Sequence, residues 1–278
     1  MKVQKKIAVI NDFSGFGRCS LTVSLPIISA MKIQCCALPT AVLSNHTGYE
    51  SYFFDDYTDK MKPFSREWEK LGLRFDGIYT GFLGSVRQVD LISGFIEKFA
   101  DGNTSVVVDP VMGDNGRRYA TIDRSLCEEL KKLLPLSSII TPNLTEACLL
   151  ADIPFDNGGF DEEKLVRITR RLNELGAKDI VITGIQDGDH LCNYVSCADG
   201  KSKIIRHPLS GSHHAGTGDV FASVIAADRV NGVELTESVG KAAGFVSRAI
   251  ALSDEMNIPA QDGVCFEELL AELIPGAG

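Results

Sequence analysis

The chain has 278 residues, of which 44% are hydrophobic, so it is long enough to bury a large core. Its formal net charge is -9 and its lysines and arginines form no dense tract, which argues against a nucleic-acid groove and against an anionic membrane surface as partners. No apolar run approaches the roughly 20 residues that span a bilayer.

The start of the chain and the cysteines indicate a cytoplasmic protein. The first apolar run, residues 7–10, stops at Asn11 and is too short for the core of a signal peptide, so we expect it to form a strand. The eight cysteines include no C-x-x-C pair and mostly lie in apolar runs. This usage is typical of buried free thiols in a reducing compartment, and it argues against disulfides and a zinc site.

Short β-branched runs alternate with helical patterns over the first two thirds of the chain. Helices are predicted over residues 85–100 and 161–176, and the predicted strands read "KIAVIN", "CCALPTAVL", "GIYTGF", "SVVVDP", "SIITPN" and "DIVITG". This alternation predicts an α/β fold with a mostly parallel sheet that is covered by helices on both faces. We interpret residues 1–278 as a single domain.

The pattern changes after residue 184. "HLCNYVS" and "KSKIIRHPL" flank the turn Ala198-Asp199-Gly200 and predict a hairpin, and therefore an antiparallel edge of the sheet. Helices are predicted over residues 219–230, 235–252 and 266–273. The aromatic residues 47–57 are interpreted as a lid or a subunit contact, with an ordinary surface loop as an equal alternative.

Several predicted strands end in small or polar residues, among them Asn11, Asp109, Thr141 and Thr183. Because open parallel sheets bind ligands at the carboxyl ends of their strands, these residues predict a site along one edge. Asn143 and Glu146 follow at a spacing that by itself favours a helix capping box. Asp109 and Glu146 at neighbouring strand ends also suit a hydrated Mg²⁺ ion, which prefers oxygen ligands.

Two glycine-containing stretches match nucleotide-binding motifs only in part. "DFSGFGRCS" has Gly15 and Gly17, but Ser20 replaces the third glycine of a dinucleotide fingerprint, so a strand–helix turn is favoured over a Rossmann site. The glycines would still allow a ligand to approach the backbone. "DGKS" lacks the upstream glycine and the following helix of a P-loop, and no G-x-S-x-G nucleophile motif occurs.

The stretch "HAGTGDVFAS" places Asp219 directly after Gly216, Thr217 and Gly218, at the start of a predicted buried helix. A simple helix cap does not require the two glycines. This loop would direct several backbone N–H groups at one point, which suits a phosphate at a helix N-terminus. An adjacent carboxylate can accept a proton from an attacking hydroxyl, so the pair predicts phosphoryl transfer to an alcohol.

These motifs resemble a known family. "HAGTGD", "DPVMG" and the N-x-x-E of "TPNLTE" are similar to those of the ribokinase-like superfamily of small-molecule kinases, and "SNHTGY" and "YTGFLGS" resemble the vitamin B6 (pyridoxal/pyridoxamine) kinases within it. The resemblance covers residues 7–252. It implies an α/β/α sandwich that uses ATP and Mg²⁺, with a monovalent cation as an option, and that acts on a small molecule, usually as a homodimer.

The resemblance also implies residue roles. Asp219 would be the base that deprotonates the 5'-hydroxymethyl group of the substrate, with the anion hole at Gly216, Thr217 and Gly218. The substrate-binding residues would be Asn11, Thr47, Gly48 and Asp219. The metal and ATP phosphates would lie at Asp109 and Glu146. Further nucleotide contacts would come from Thr141, Asn143, Thr183, His207, Leu209 and Ser210.

Two positions depart from the B6 kinase pattern, which often has serine in place of Asn11 and lysine in place of Thr183. "NDFSGFGRCS" is also similar to the glycine-rich start of hydroxymethylpyrimidine kinases. The sequence therefore predicts a B6 kinase, with hydroxymethylpyrimidine kinase as the nearest alternative. A non-catalytic B6 or nucleotide sensor is an alternative from another class, and a dinucleotide oxidoreductase is a distant third.

Overall fold

The computed structural model describes residues 3–156, 160–209 and 211–276, and its centre is a nine-stranded sheet with the order β11-β10-β9-β8-β5-β4-β1-β2-β3. A two-stranded ribbon, β6 and β7, lies outside this sheet. The strands are β1 (Lys6–Phe16), β2 (Gln34–Asn45), β3 (Phe54–Asp56), β4 (Gly77–Thr80), β5 (Ser105–Val108), β6 (Gly113–Asp114), β7 (Arg117–Arg118), β8 (Ile139–Ile140), β9 (Asp179–Asp187), β10 (His190–Ser196) and β11 (Ser202–Pro208).

The sheet is mostly parallel, with antiparallel strands at both edges. Six neighbouring strands pair in parallel, in the order β9, β8, β5, β4, β1 and β2. The hairpin β10–β11 adds the predicted antiparallel edge beyond β9. The short strand β3 adds a second antiparallel edge on β2, within the segment that was interpreted as a lid, a subunit contact or a loop.

Helices cover both faces, which confirms the predicted α/β/α sandwich. Polar side chains start several of them: Ser85 accepts the N–H of Gln88, and Asp161 accepts the N–H of Lys164. The helices are α1 (Ser20–Ala30), α2 (Thr58–Lys70), α3 (Val86–Phe99), α4 (Arg124–Leu130), α5 (Leu144–Ala151), α6 (Glu162–Glu174), α7 (Thr217–Asn231) and α8 (Leu235–Glu255), with 3₁₀ turns at Lys131–Leu136, Ala260–Asp262 and Glu267–Leu273.

Alternate residues of the central strands feed two separate hydrophobic layers. In β1, Ala8 and Ile10 join the layer under α2 to α6, whereas Ile7 and Val9 join the layer under α1, α7 and α8. This period of two, with both faces apolar, is the pattern of a parallel strand that is buried on both sides. The eight cysteines are free thiols, of which five are buried and Cys35, Cys36 and Cys197 are partly exposed.

Two boundaries differ from the prediction. The segment that begins at Asp12 was expected to leave the first strand at once, but β1 continues to Phe16 because it keeps pairing with β2. The turn is therefore confined to residues 17–19, and Gly15 lies in the strand. The last predicted helix, over residues 266–273, is a 3₁₀ helix at Glu267–Leu273.

None of the helices in the described part of the chain combines the length and the apolar character needed to cross a bilayer.

Candidate active site

The carboxyl ends of the parallel strands form one continuous edge, as the sequence predicted. Backbone hydrogen bonds join neighbouring strands along this edge. These bonds join Gly81 N to Ile10 O (2.9 Å), Asp109 N to Thr80 O (2.9 Å), Thr141 N to Val108 O (3.1 Å) and Thr183 N to Pro142 O (2.9 Å). The edge thereby brings together predicted site residues from distant parts of the sequence.

The glycine loop lies at the N-terminus of α7, above this edge. Gly216 is the N-cap residue, with a left-handed φ of 74°, and a Cβ atom there would collide with the carbonyl oxygen of Arg18. A Cβ on Gly218 would lie 4.0 Å from Asp109 Oδ2, so the loop faces that carboxylate. The N–H groups of residues 217–219 belong to the first helical turn, where backbone donors lack helical partners. They form a cradle suited to an anion.

Asp219 is held in place by Asn11, whose side chain is completely buried. The Asn11 Oδ1 atom accepts the backbone N–H groups of Asp12 (3.0 Å) and Phe82 (2.8 Å). This fixes the orientation of the amide, and its Nδ2 atom donates to Asp219 Oδ1 at 3.1 Å. A Cβ on Gly81 would overlap the Asn11 amide, so Gly81 leaves room for this arrangement. Direct contact between Asn11 and a substrate stays a prediction.

The surroundings of Asp219 suit a proton acceptor at neutral pH. Burial raises the pKa of Asp219 from 3.8 to about 6, and the nearby Asp12 carboxylate adds to this effect. Hydrogen bonding from the Ser20 backbone and from the Asn11 amide opposes the rise. Asp219 is therefore mostly ionised at pH 7, yet basic enough to accept a proton from a hydroxyl group.

Asp12 is a buried carboxylate beside Asp219. Its strand end was predicted to lie on the edge that forms the site, but no role was predicted for it. It is 6% exposed and accepts the hydroxyl groups of Ser14 (2.8 Å) and Ser20 (2.5 Å). Ser20 has a positive φ of 53°, and its backbone N–H is directed to Asp219. Asp12 thus stabilises an unfavourable backbone conformation that presents an N–H group to the candidate base.

Tyr79 was also missed, although it lies in the quoted "YTGFLGS". Its side chain is fully buried and its hydroxyl lies near the Asp219 carboxylate. Burial raises the pKa of Tyr79, and the carboxylates of Asp219 and Asp109 raise it further. The phenol therefore keeps its proton, although its hydroxyl has no hydrogen-bond partner among the described residues. A tyrosine inside an apolar strand gives no sequence signal that separates this role from core packing.

Asp109 and Glu146 lie close together, as predicted, with Asp219 as a third carboxyl group next to Asp109. Burial raises the pKa of each, and the second cause is a neighbouring carboxylate: Asp219 for Asp109, and Asp109 for Glu146. Three carboxylates in mutual repulsion fit a cation, and Mg²⁺ needs only one or two of them when phosphates and water supply its other ligands. Within the described residues, no group of three or more His, Cys, Asp or Glu side chains is arranged to hold a metal by itself.

Glu146 also completes the capping box that its spacing with Asn143 indicated. The Asn143 side chain accepts the N–H of Glu146 at 3.0 Å, and Glu146 Oε2 accepts the N–H of Asn143 at 2.9 Å. Glu146 Oε1 accepts the N–H of Met112 at 3.0 Å. Both carboxylate oxygens are thus fixed by the backbone, so Asp109 is the better candidate for direct contact with a cation.

The predicted acceptor residues Thr47 and Gly48 are exposed on the loop of residues 46–50. The N–H of Gly48 donates to His46 Nδ1 at 3.1 Å, which leaves the ring proton on Nε2, and this atom donates to Gln261 O at 2.6 Å. The loop is therefore attached to the C-terminal part of the chain, next to the turn after β1.

The predicted nucleotide residues lie in two places. Thr183 is on the edge beside Asn143, with which it forms a parallel bridge. His207 and Leu209 lie on or just after the outermost strand β11, about 14 Å from β8 at ordinary strand spacing, and Leu209 is 48% exposed. Ser210 lies outside the described residues. The nucleotide contacts of all these residues stay predictions.

Comparisons with known proteins identify the family of the chain. A family profile described as phosphomethylpyrimidine kinase matches residues 28–264. The chain belongs to the phosphomethylpyrimidine kinase family. A Caenorhabditis elegans relative, provisionally named pyridoxal kinase, is 31% identical over 217 residues, which are 70% of this chain and 65% of the relative. The chain covers slightly less than two thirds of the curated relatives that it matches first.

Solved structures of this kinase family match over nearly the whole chain. A Bacteroides thetaiotaomicron protein, provisionally named phosphomethylpyrimidine kinase and crystallised with pyridoxal, is 38% identical with a TM-score of 0.93, and the match covers 98% of this chain and 96% of that one. Pyridoxal kinase from Lactobacillus plantarum is 29% identical with a TM-score of 0.90, over 98% and 97% of the two chains. The predicted kinship with the B6 kinases and the ribokinase-like superfamily is thus confirmed.

Proposed function

We propose that this protein is an ATP-dependent kinase that phosphorylates the 5'-hydroxymethyl group of pyridoxal, pyridoxamine or pyridoxine. The observation that carries the proposal is the position of Asp219, a half-buried carboxylate with a raised pKa in the first turn of α7, beside the anion cradle formed by the N–H groups of residues 217–219. A base next to an anion site is the pair that phosphoryl transfer to an alcohol requires.

In the proposed reaction, Asp219 accepts the proton of the acceptor hydroxyl as its oxygen attacks the γ-phosphorus of ATP. The new O–P bond forms as the bond from the γ-phosphorus to the β,γ-bridging oxygen breaks, so ADP leaves with that electron pair. The N–H groups of residues 217–219 stabilise the charge on the transferring group. Asn11 and Ser20 keep Asp219 oriented, since each donates a hydrogen bond to it.

Asp109 is proposed to contact the cation directly, and the neighbouring Glu146 is proposed to face its hydration shell. A bound Mg²⁺ would neutralise charge on the triphosphate, and it would also relieve the repulsion among the three carboxylates. Thr141, Asn143 and Thr183 lie along the same edge and are proposed to contact the nucleotide, together with His207 and Leu209.

The preference for B6 vitamers rests on two observations. The chain is 38% identical, over almost its full length, to the Bacteroides protein that was crystallised with pyridoxal. The "SNHTGY" loop, which resembles that of B6 kinases, exposes Thr47 and Gly48 on the side of the β1 turn. The alternative acceptor, hydroxymethylpyrimidine, is supported by the family description and by the "NDFSGFGRCS" start. Both acceptors are nitrogen heterocycles with a hydroxymethyl arm.

We also propose a homodimer formed through the edge at β3. Five exposed aromatic side chains lie in or next to β3, or on β1, which only β2 separates from β3: Phe13 (39%), Phe16 (56%), Tyr52 (39%), Phe53 (65%) and Phe54 (39%). Clustered exposed apolar groups on a sheet edge are typical of a protein contact. A monomer in sedimentation equilibrium at micromolar concentration would contradict this proposal.

The function is tested by offering ATP with pyridoxal, pyridoxamine, pyridoxine and hydroxymethylpyrimidine in parallel assays. We expect turnover of at least one B6 vitamer, and a loss of about 10²–10⁴-fold in kcat in Asp219→Asn. Asp228→Asn is the matched control, because Asp228 is a buried aspartate on the same helix that pairs with Lys241 away from the strand ends. If only hydroxymethylpyrimidine is phosphorylated, the proposal of a B6 acceptor is wrong. Tight B6 binding without any turnover would favour the hypothesis of a non-catalytic sensor.

A further inference from the structure

Residues 260–264, which we name the C-terminal bridge, contact three loops that are far apart in the sequence. Asp262 O accepts the N–H of Arg18 at 2.9 Å, in the turn after β1. Ala260 O accepts the N–H of Ala215 at 2.9 Å, and Ala215 O accepts the N–H of Val264 at 3.3 Å, just before the glycine loop. The third loop, residues 46–50, is bound through the His46 ring and Gln261 O.

The C-terminal bridge is itself firmly anchored. Val264, Cys265 and Phe266 are buried, and the N–H of Cys265 donates to Ser253 Oγ at 2.7 Å within the last turns of α8. Gly263 has a φ of 83°, and a Cβ atom there would lie 2.6 Å from the carbonyl oxygen of Arg18. The bridge and the turn after β1 are therefore packed backbone against backbone, which is possible only with glycine at this position.

One side chain of the bridge makes a bond of a different kind. Tyr49 donates its hydroxyl to Asp262 Oδ1 at 2.6 Å, and the Tyr49 ring lies 4.7 Å from the His46 ring and 5.9 Å from the Phe16 ring. Burial and the bond to Asp262 raise the pKa of Tyr49, so the phenol keeps the proton that it donates. The contacts of the bridge described above use its main chain, so the bond to Tyr49 can be removed while they remain.

We propose that Asp262 is a positioning residue: through Tyr49 it holds residues 46–50, and with them Thr47 and Gly48, in register with the glycine loop. This inference rests on the proposed function, because it assigns the acceptor side of that site to this loop. The acceptor loop and the phosphate cradle would then share one support, the C-terminal bridge, although the two are far apart in the sequence.

The proposal predicts that losing the Asp262 side chain affects the acceptor and spares the nucleotide. In Asp262→Ala, the main-chain bonds to Arg18 and Ala215 persist, so the glycine loop keeps its position. We expect the acceptor KM to rise about tenfold or more, as the loss of a hydrogen bond to a charged group predicts, with the ATP KM within about twofold of wild type. Asp262→Asn keeps an oxygen acceptor for Tyr49 and should restore most of the acceptor affinity.

The decisive experiment is a double-mutant cycle of Asp262→Ala and Tyr49→Phe, measured on whichever acceptor the wild type phosphorylates best. Both single variants and the double variant should show the same rise in acceptor KM, since each removes the same bond. Additive effects, an equal rise in the ATP KM, or an Asp262→Asn variant as impaired as Asp262→Ala would overturn the proposal.

Hydrogen exchange of the free protein separates this proposal from the proposed function. The N–H groups of Gly48 and Tyr49 bond within the loop, so Asp262→Ala should speed exchange in peptides that cover residues 46–53 and leave residues 215–220 unchanged. If the wild type phosphorylates no acceptor, the proposed function is wrong. If exchange at residues 46–53 is unchanged in Asp262→Ala, the positioning role is wrong, whatever the activity assay shows.

Discussion

Asp219, the candidate base, should lower the stability of the folded protein. Burial raises the pKa of Asp219 from 3.8 to about 6, so the folded protein holds this proton more tightly than the unfolded chain does. The stability contributed by this group therefore falls as the pH rises from about 4 through 6. A shift of this size corresponds to about 3 kcal/mol at a pH above both values. Because the side chain is partly exposed, we expect a cost of about 1–3 kcal/mol.

Asp219→Asn removes the charge and keeps an oxygen that can accept the Asn11 amide. We therefore expect its free energy of unfolding to exceed that of wild type by about 1–3 kcal/mol at pH 8, while activity is lost. The gain should shrink as the pH falls towards 4. Urea unfolding at several pH values, followed by the fluorescence of the single tryptophan, Trp68, measures this difference. A variant that is less stable than wild type at pH 8, or a gain that does not depend on pH, would refute the reasoning.

Three further predictions concern the residues around this base. The kcat/KM of the wild type should fall on the acid side with a pKa near 6, and a limb near 3.8 would show that Asp219 is not the group that titrates. Gly216→Ala places a Cβ against Arg18 O at a positive φ, so phosphoryl transfer should fall at least about 10²-fold; a variant with normal kcat would show that the cradle is dispensable. Ser20→Ala and Ser20→Gly both lose the hydroxyl bond to Asp12, but only glycine tolerates the positive φ. Urea unfolding should therefore find Ser20→Gly about 1 kcal/mol more stable than Ser20→Ala. Equal stability of the two variants would contradict this.

The fold could be predicted largely because its signals are local. The buried strands are apolar runs of ordinary length, and the hairpin β10–β11 surrounds a turn at Asp199-Gly200, so period and turn residues were enough. The strand β3 was missed because it has three residues and lies in a stretch without alternation. The glycine loop was found for a similar reason, since Gly216, Gly218 and Asp219 are neighbours in the sequence.

The partners of the base could not be predicted in this way. Asn11 reaches Asp219 across 208 positions of the chain, and nothing in the sequence of β1 shows that its amide points there. One signal was available in retrospect: Gly81 follows the next strand of the sheet, and it lacks the Cβ that would overlap Asn11. Asp12 and Ser20 gave no such signal, because a buried carboxylate and a left-handed serine are recognised only from their contacts.

Glu146 shows why sequence alone leaves a structural and a functional interpretation standing together. The capping box is present, yet an ionised carboxylate has about four acceptor positions, and the observed backbone bonds do not use them all. A residue can therefore begin α5 and still face a hydrated cation beside Asp109, since the two roles use different lone pairs of the same oxygens. The C-terminal bridge is the opposite case, because most of its contacts are made by main-chain atoms, which every residue carries. Only the folded chain therefore reveals that Ala260 and Asp262 join the glycine loop to the loop of residues 46–50.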